Sequence, residues 1–326
     1  MTYKGRALYN LIKMNFNHDP HLEVEPWQIE DYQILSIEEL FKRLEEHQIY
    51  LDKDHFLLYV EEADSPEELA DFLCVEEDYV KHEKVFLLVF ELWRRLSPLK
   101  QGLSILCDEL DHLIESYEEG NQDNDEELQK QLLNTQRILE DYVDKGGDPL
   151  EGFKLISEYS CHNLELFIYE YIAHQIDIEN DLYASELVDG FYPYIKNKYW
   201  FDFLRIRLVS AVDPEEGNIM LDRLLESLTK RDDLPLLYEI LNFLIYTGNK
   251  EQLLSTFDIV FRFLEIEEDL SELLSIALDY LSYNKKAKEE KIIINLLEQR
   301  QEKLPEEKLN SQDSILHLIK ELIASV

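Results

Sequence analysis

Apolar residues recur three and four positions apart along nearly the whole chain, as in Leu40, Phe41 and Leu44, or Leu253, Leu254, Phe257, Val260 and Phe261. With 3.6 residues per turn, that spacing gathers them on one face of a helix, so the pattern predicts helix after helix. Only nine glycines and nine prolines punctuate the 326 residues. The expected fold class is all-α, arranged as a right-handed α-solenoid-like array of antiparallel helix pairs in two segments.

Helix starts are written clearly. Ser36-Ile-Glu-Glu39 and Ser65-Pro-Glu-Glu68 are capping boxes, and Asp148-Pro and Asp213-Pro are similar starts. In each, a side-chain oxygen can satisfy an amide that has no partner within the helix. Placing the first box on the second gives an internal repeat offset by 29 residues. Ser36, Glu38, Glu39, Leu40, Leu44, Tyr50, Leu58, Val60 and Glu62 fall on Ser65, Glu67, Glu68, Leu69, Leu73, Tyr79, Leu87, Val89 and Glu91. Each copy reads as a short helix, a loop and a second helix, more apolar than the first. Ser97-Pro98 is a candidate third start without the glutamates.

The stretch from Glu118 to Glu127 is acidic and poor in apolar residues, so it reads as a loop. It gives the expected division into residues 1–120, an N-terminal helical-repeat segment, and 121–326, a C-terminal α-solenoid segment. A helix is expected from about Glu126 to Asp144, closed by Lys145-Gly-Gly. Further helices are expected over Leu234–Tyr246, Glu251–Glu265, Leu270–Tyr283 and Glu289–Gln301. In outline, this succession of short helices resembles the αα-hairpin stacks of TPR-like superhelical proteins. The likeness is one of architecture only, because the signature TPR positions do not recur at a constant period of 34 residues.

The chain carries 70 Asp and Glu against 32 Lys and Arg, a formal charge of −38. That charge repels a phosphate backbone, so no nucleic-acid surface is expected. With 19 Tyr and 15 Phe, the chain has the apolar material for a core. Cys74, Cys107 and Cys161 are odd in number and widely spaced, which fits neither a disulfide framework nor a zinc ribbon. No stretch reaches the about 20 apolar residues of a membrane span, and a cytoplasmic location is expected. The first eighteen residues carry Lys4, Arg6 and Lys13 but no acid. They read either as a docking or targeting arm, allowing export without a signal peptide, or as an ordinary first helix.

One segment is basic within this acidic chain. Around Phe191–Arg207, the residues Tyr194, Lys196, Lys198, Tyr199, Trp200, Arg205 and Arg207 combine cations with aromatics, the composition of interface hot spots, and form the expected partner-binding set. The competing reading makes Trp200, Phe201, Leu204 and Leu208 a core stripe at helical spacing. For metal chemistry the candidates are His18, His21 and Glu23 in a loop, and Glu109 with His112 on a helix. Glu170 and His174 are the nearest substitute for a second Glu-x-x-His motif, at the different i, i+4 spacing, and Glu165 is a further candidate carboxylate for a helical-bundle enzyme. Cys161-His162, placed on a helix, would point about 100° apart and so not cooperate in nucleophilic catalysis. Phosphate-cradling glycine motifs are absent from the sequence.

The expected function is therefore a non-enzymatic scaffold that binds a basic or helical protein partner, with no cofactor and no metal. A regulator or chaperone of the kind intracellular bacteria use for secreted proteins is a special case. The alternatives are a helical-bundle enzyme with a carboxylate and histidine metal site, and an acidic mimic of DNA.

Overall fold

The computed structural model describes residues 3–74, 78–121, 124–247, 249–309 and 314–325. These residues form eighteen α-helices and no β-strand, with a lone antiparallel bridge between Ile266 and Lys308. The all-α class is therefore observed. Among the described residues, no helix is long and apolar enough to cross a membrane. The chain divides into two compact units, residues 1–196 and 197–326. The acidic stretch near residue 120 lies inside the first unit, where the flanking helices pack on one another. Its residues 122–123 lie outside the described residues.

Unit 1 contains α1 (Ala7–His18), α2 (Pro26–Ile29), α3 (Ile37–Glu46), α4 (Lys53–Glu62), α5 (Pro66–Leu73) and α6 (Tyr79–Leu96). It continues with α7 (Leu103–Glu118), α8 (Asp125–Asp144), α9 (Pro149–Glu158), α10 (Leu164–Asp177) and α11 (Asp181–Phe191), and a 3-10 turn over Tyr192–Tyr194. Both repeat starts form as expected: the Ser36 hydroxyl accepts from the Glu39 amide and the Ser65 hydroxyl from the Glu68 amide, each at 3.1 Å. Asp148 accepts from the amides of Leu150 and Glu151 at the start of α9. Gly146, at φ +90°, follows the end of α8 in the left-handed region that glycine enters without strain.

Helix α6 is buried on all sides from Val85 to Trp93, the mark of a helix at the centre of a unit rather than on its surface. Helices α3 and α5 pack against it. Each leucine or phenylalanine enclosed there contributes about 1.5–3 kcal/mol of transfer free energy. The two repeat copies differ in burial. Leu40 and Leu69 are enclosed in both, but Leu58 and Glu62 of α4 face solvent whereas their counterparts Leu87 and Glu91 of α6 are buried. No third copy opens at Ser97: it ends α6, and α7 begins at Leu103 after Gly102.

The N-terminal basic segment is built into unit 1. Ala7, Tyr9 and Arg6 are buried, and Lys4 pairs with Glu158 at 2.6 Å. A second charged element organises the unit. Glu91, 1% exposed, accepts from Arg94 and Arg95, and the Arg95 guanidinium donates in turn to the carbonyls of Leu35, Tyr32 and Gln33.

Unit 2 contains α12 (Lys198–Val212), α13 (Pro214–Leu228), α14 (Leu234–Thr247), α15 (Lys250–Val260), α16 (Glu267–Tyr283), α17 (Ala287–Arg300) and α18 (Ser314–Ala324). Consecutive helices pack as the pairs α12 with α13, α14 with α15 and α16 with α17, and α14 also packs on α16. This matches a helical-repeat arrangement. The expected turn at Thr247-Gly-Asn249 includes Gly248, which lies outside the described residues. The interior is one apolar cluster running from Phe203 to Ile323, with Leu236, Leu237, Leu273 and Leu274 fully enclosed. Glu267, the one buried carboxylate among the described residues of the unit, accepts from Arg300 and Lys303.

Candidate functional site

Two places in unit 1 bring chemistry together. The first is a groove between α4 and α5, lined by Tyr59, Glu62, Ala63, Glu68, Leu69 and Phe72, with a volume of about 200 Å³. Its shape follows from the local sequence. Asp52 caps α4 through the His55 amide at 2.9 Å, and α4 stops at Ala63. Ser65-Pro66 then starts α5 at once, so Tyr59 and Phe72 meet across the short link Ala63-Asp64-Ser65, their ring centroids 5.4 Å apart. Glu68 is held by the Asp64 amide, which donates to its Oε2 at 2.6 Å. Phe72 is 61% exposed, an aromatic left on the surface between two glutamates.

The volume discriminates among ligands. Pockets that take metabolites and cofactors measure about 300–1,000 Å³, whereas a cavity of about 150 Å³ holds a benzene ring. The groove therefore has the capacity of one large side chain. Aromatic faces and carboxylates both attract a cation, the first through the ring quadrupole and the second by charge.

The second place is a cavity of about 20 Å³ between α1, α7 and the connection from α9 to α10, lined by Asn10, Lys13, Met14, Asp111, His112, Glu115, Cys161 and His162. That is room for a single water or ion. Asp111 is 2% exposed. Its carboxylate accepts from the Ser160 hydroxyl at 2.5 Å, from the Cys161 amide at 3.0 and 3.2 Å, and from Asn10 Nδ2 at 3.3 Å. Burial pushes the Asp111 carboxyl above its ordinary range, against the pull of the Ser160 and Cys161 hydrogen bonds. Burial, followed by the nearby Asp111 charge, raises the Cys161 thiol far above its ordinary value. That thiol is no ready nucleophile by itself.

Cys161 and His162 are not on a helix. Both lie between the end of α9 at Glu158 and the start of α10 at Leu164, where Asn163 caps α10 by accepting from the Leu166 amide at 3.3 Å. The expected 100° divergence therefore does not apply. Ligand atoms of Asp111, Cys161 and His162 lie within 4.8 Å of one another, the one such group of three among the described residues. Asp111 was missed because nothing local marks it; the signal available was Asn163, a cap residue directly before an apolar run.

The other expected metal candidates do not assemble into such a group. His18, His21 and Glu23 are exposed at and after the end of α1. Glu109 accepts from Gln101 at 3.3 Å, while His112 faces the small cavity and lies 3.2 Å from Gln33 Nε2. On α10, His174 meets the ring of Tyr117, Glu165 stands in the first turn, and burial together with Glu118 raises the Glu170 carboxyl.

The expected partner-binding set falls on both units, Tyr194 and Lys196 in unit 1 and the rest in unit 2. Tyr194 is buried and Lys196 exposed. Tyr199 and Trp200 pack against the apolar cluster of unit 2, and an Arg231 guanidinium stands 4.9 Å from the Tyr199 ring centroid. Lys198, Arg205 and Arg207 are half-buried on α12, beside the enclosed stripe of Phe201, Leu204 and Ile206.

Fold and groove together define an all-helical protein with a paired-helix repeat and an acidic, aromatic-lined surface site. No protein-family model, no curated protein and no solved structure matches the chain significantly.

Proposed function

We propose that this chain is a protein-binding scaffold that receives a basic partner segment, with an arginine or lysine side chain seated in the α4–α5 groove. The observation that carries the reading is the half-buried Tyr59 and the exposed Phe72, which line, with Glu62 and Glu68, a space of about 200 Å³. The net charge of −38 adds a long-range attraction for such a partner. The role is one of binding rather than catalysis. Two separate secondary contacts for acidic groups complete this proposal: the solvent-facing Lys196 on unit 1, and the half-buried Lys198, Arg205 and Arg207 on unit 2.

The test is fluorescence anisotropy with labelled oligo-arginine and oligo-lysine peptides, on the wild-type chain and on the Phe72→Ala and Glu62→Lys variants. Each substitution is expected to weaken binding about tenfold, the effect of losing one anchor worth about 1.4 kcal/mol. Glu62 is one acid among 70 Asp and Glu, so diffuse attraction alone would hardly register its reversal. Variants that bind as the wild type does, with affinity vanishing at high salt, would remove the groove and favour acidic mimicry.

A further inference from the structure

The second place raises a question of charge. In unit 1, Asp108 and Asp111 are both buried, at 1% and 2% exposure, on one helix. Among the described residues of the unit, the one buried cation is Arg6, and it faces Asp108, with Nε 3.6 Å from Oδ1. No lysine, arginine or histidine nitrogen among the described residues stands within ion-pair distance of Asp111. Four donor contacts reach its two oxygens, as an ionised carboxylate accepts them. A buried carboxylate without a cation is costly, and a cation of the right size in the neighbouring cavity removes that cost.

We propose that Asp111, Cys161 and His162 form a binding site for a zinc-class divalent metal ion. Three donor types converge: a carboxylate oxygen, a sulfur and an imidazole nitrogen. Oxygen, sulfur and nitrogen in one site suit zinc or cobalt rather than magnesium or calcium, which take oxygen ligands. In a tetrahedral site with bonds of about 2.0–2.3 Å, donor atoms stand about 3.3–3.8 Å apart. The three here lie within 4.8 Å, so side-chain rotations of about 1 Å close the site. The Asn10 bond to Asp111, at 3.3 Å, is the longest of the four and the one a metal replaces. Water, or Glu115 from the cavity wall, takes the fourth position.

Binding replaces the thiol proton: Cys–SH and M²⁺ give Cys–S–M⁺, and the proton leaves to solvent. Lys13 lines the same cavity, and its half-exposed side chain turns outward as the ion enters.

Cobalt titration of the metal-stripped full chain tests the site, followed by absorbance and then by zinc competition. The wild type is expected to bind one Co²⁺ with a thiolate-to-cobalt charge-transfer band and the strong visible absorption of tetrahedral cobalt, both lost when Zn²⁺ is added. Cys161→Ser abolishes the charge-transfer band, His162→Gln weakens binding at least tenfold, and Lys13→Met tightens it severalfold. Cys74→Ser changes none of these. Asp111 also pins the backbone of Cys161, so its replacement risks the fold; the Cys161 and His162 variants, checked by thermal melting, keep the test decisive. Absence of stoichiometric cobalt, cobalt bound without a thiolate band, or a Cys161→Ser protein that binds as the wild type does would each overturn the site.

Discussion

The two units hold themselves together by different means. Among the described residues, unit 1 encloses four charged side chains, Arg6, Glu91, Asp108 and Asp111, whereas unit 2 encloses one ion pair, Glu267 with Arg300. Unit 2 is close to a plain apolar stack, in which any well-packed leucine serves nearly as well as another. Unit 1 adds bonds between specific groups, and these fix the path of irregular segments: Glu91 and Arg95 for residues 32–35, Asp111 for Ser160 and Cys161. Both candidate sites lie in the unit that encloses more charge.

That contrast can be broken by substitution. Glu91→Ala should have the largest effect, about 4 kcal/mol of stability, because two guanidinium groups lose the carboxylate that orients them. Hydrogen exchange should show protection lost at residues 32–35 as well as in α6; a loss below about 1 kcal/mol would mean that the buried charge is incidental. Leu274→Ala, at a fully enclosed position in unit 2, should cost about 3 kcal/mol by leaving a cavity, measured by denaturant unfolding. Leu274→Met should cost less than about 1.5 kcal/mol if the apolar stack tolerates swaps of equal volume.

Glu267 tests the buried carboxylate of unit 2. Burial tends to raise its carboxyl, but hydrogen bonds from Arg300 and Lys303 outweigh burial and hold it below the ordinary range. A depressed folded value means that the carboxylate stabilises the fold fully above its unfolded value and ceases to do so as pH falls through the folded one. Glu267→Gln should therefore cost about 2 kcal/mol at neutral pH. The gap between wild type and variant should close in acid, below the ordinary carboxylate range; a gap independent of pH would rule the ion pair out as its source. The smallest effect belongs to Ser65→Ala, about 1 kcal/mol for a lost cap. Ser36→Ala should match it if the two repeat copies are equivalent at their starts.

Much of this was legible in residue order. Capping serines and aspartates mark helix starts by a local rule, and the structure places the hydroxyls of Ser36 and Ser65 on the amides the rule names. Burial was less legible, because it depends on neighbours far along the chain. Leu58 and Leu87 align in the repeat, but α6 is enclosed by several helices and the Leu58 face of α4 is not. The groove of Tyr59 and Phe72 combines positions on two helices that no spacing rule connects. Asp111 and Ser160 are 49 residues apart and meet only through packing of α7 against the α9–α10 connection. The compact units likewise divide at Lys196 and Asn197, inside a segment whose composition suggested a binding surface.

The Arg95 fork carries a lesson about where a loop's shape is encoded. A planar guanidinium presents several donors at fixed angles, and here it engages the carbonyls of Tyr32, Gln33 and Leu35 from some sixty positions further along the chain. Tyr32 is buried and its hydroxyl donates to the Trp27 carbonyl, but main-chain carbonyls are the same whatever residue bears them, so the Arg95 bonds themselves place no demand on the side chains of that stretch. Its route is instead specified remotely, at position 95. Substitution at the exposed Ile34 would be tolerated, while Arg95→Lys, conservative in charge, would rewrite the course of the stretch.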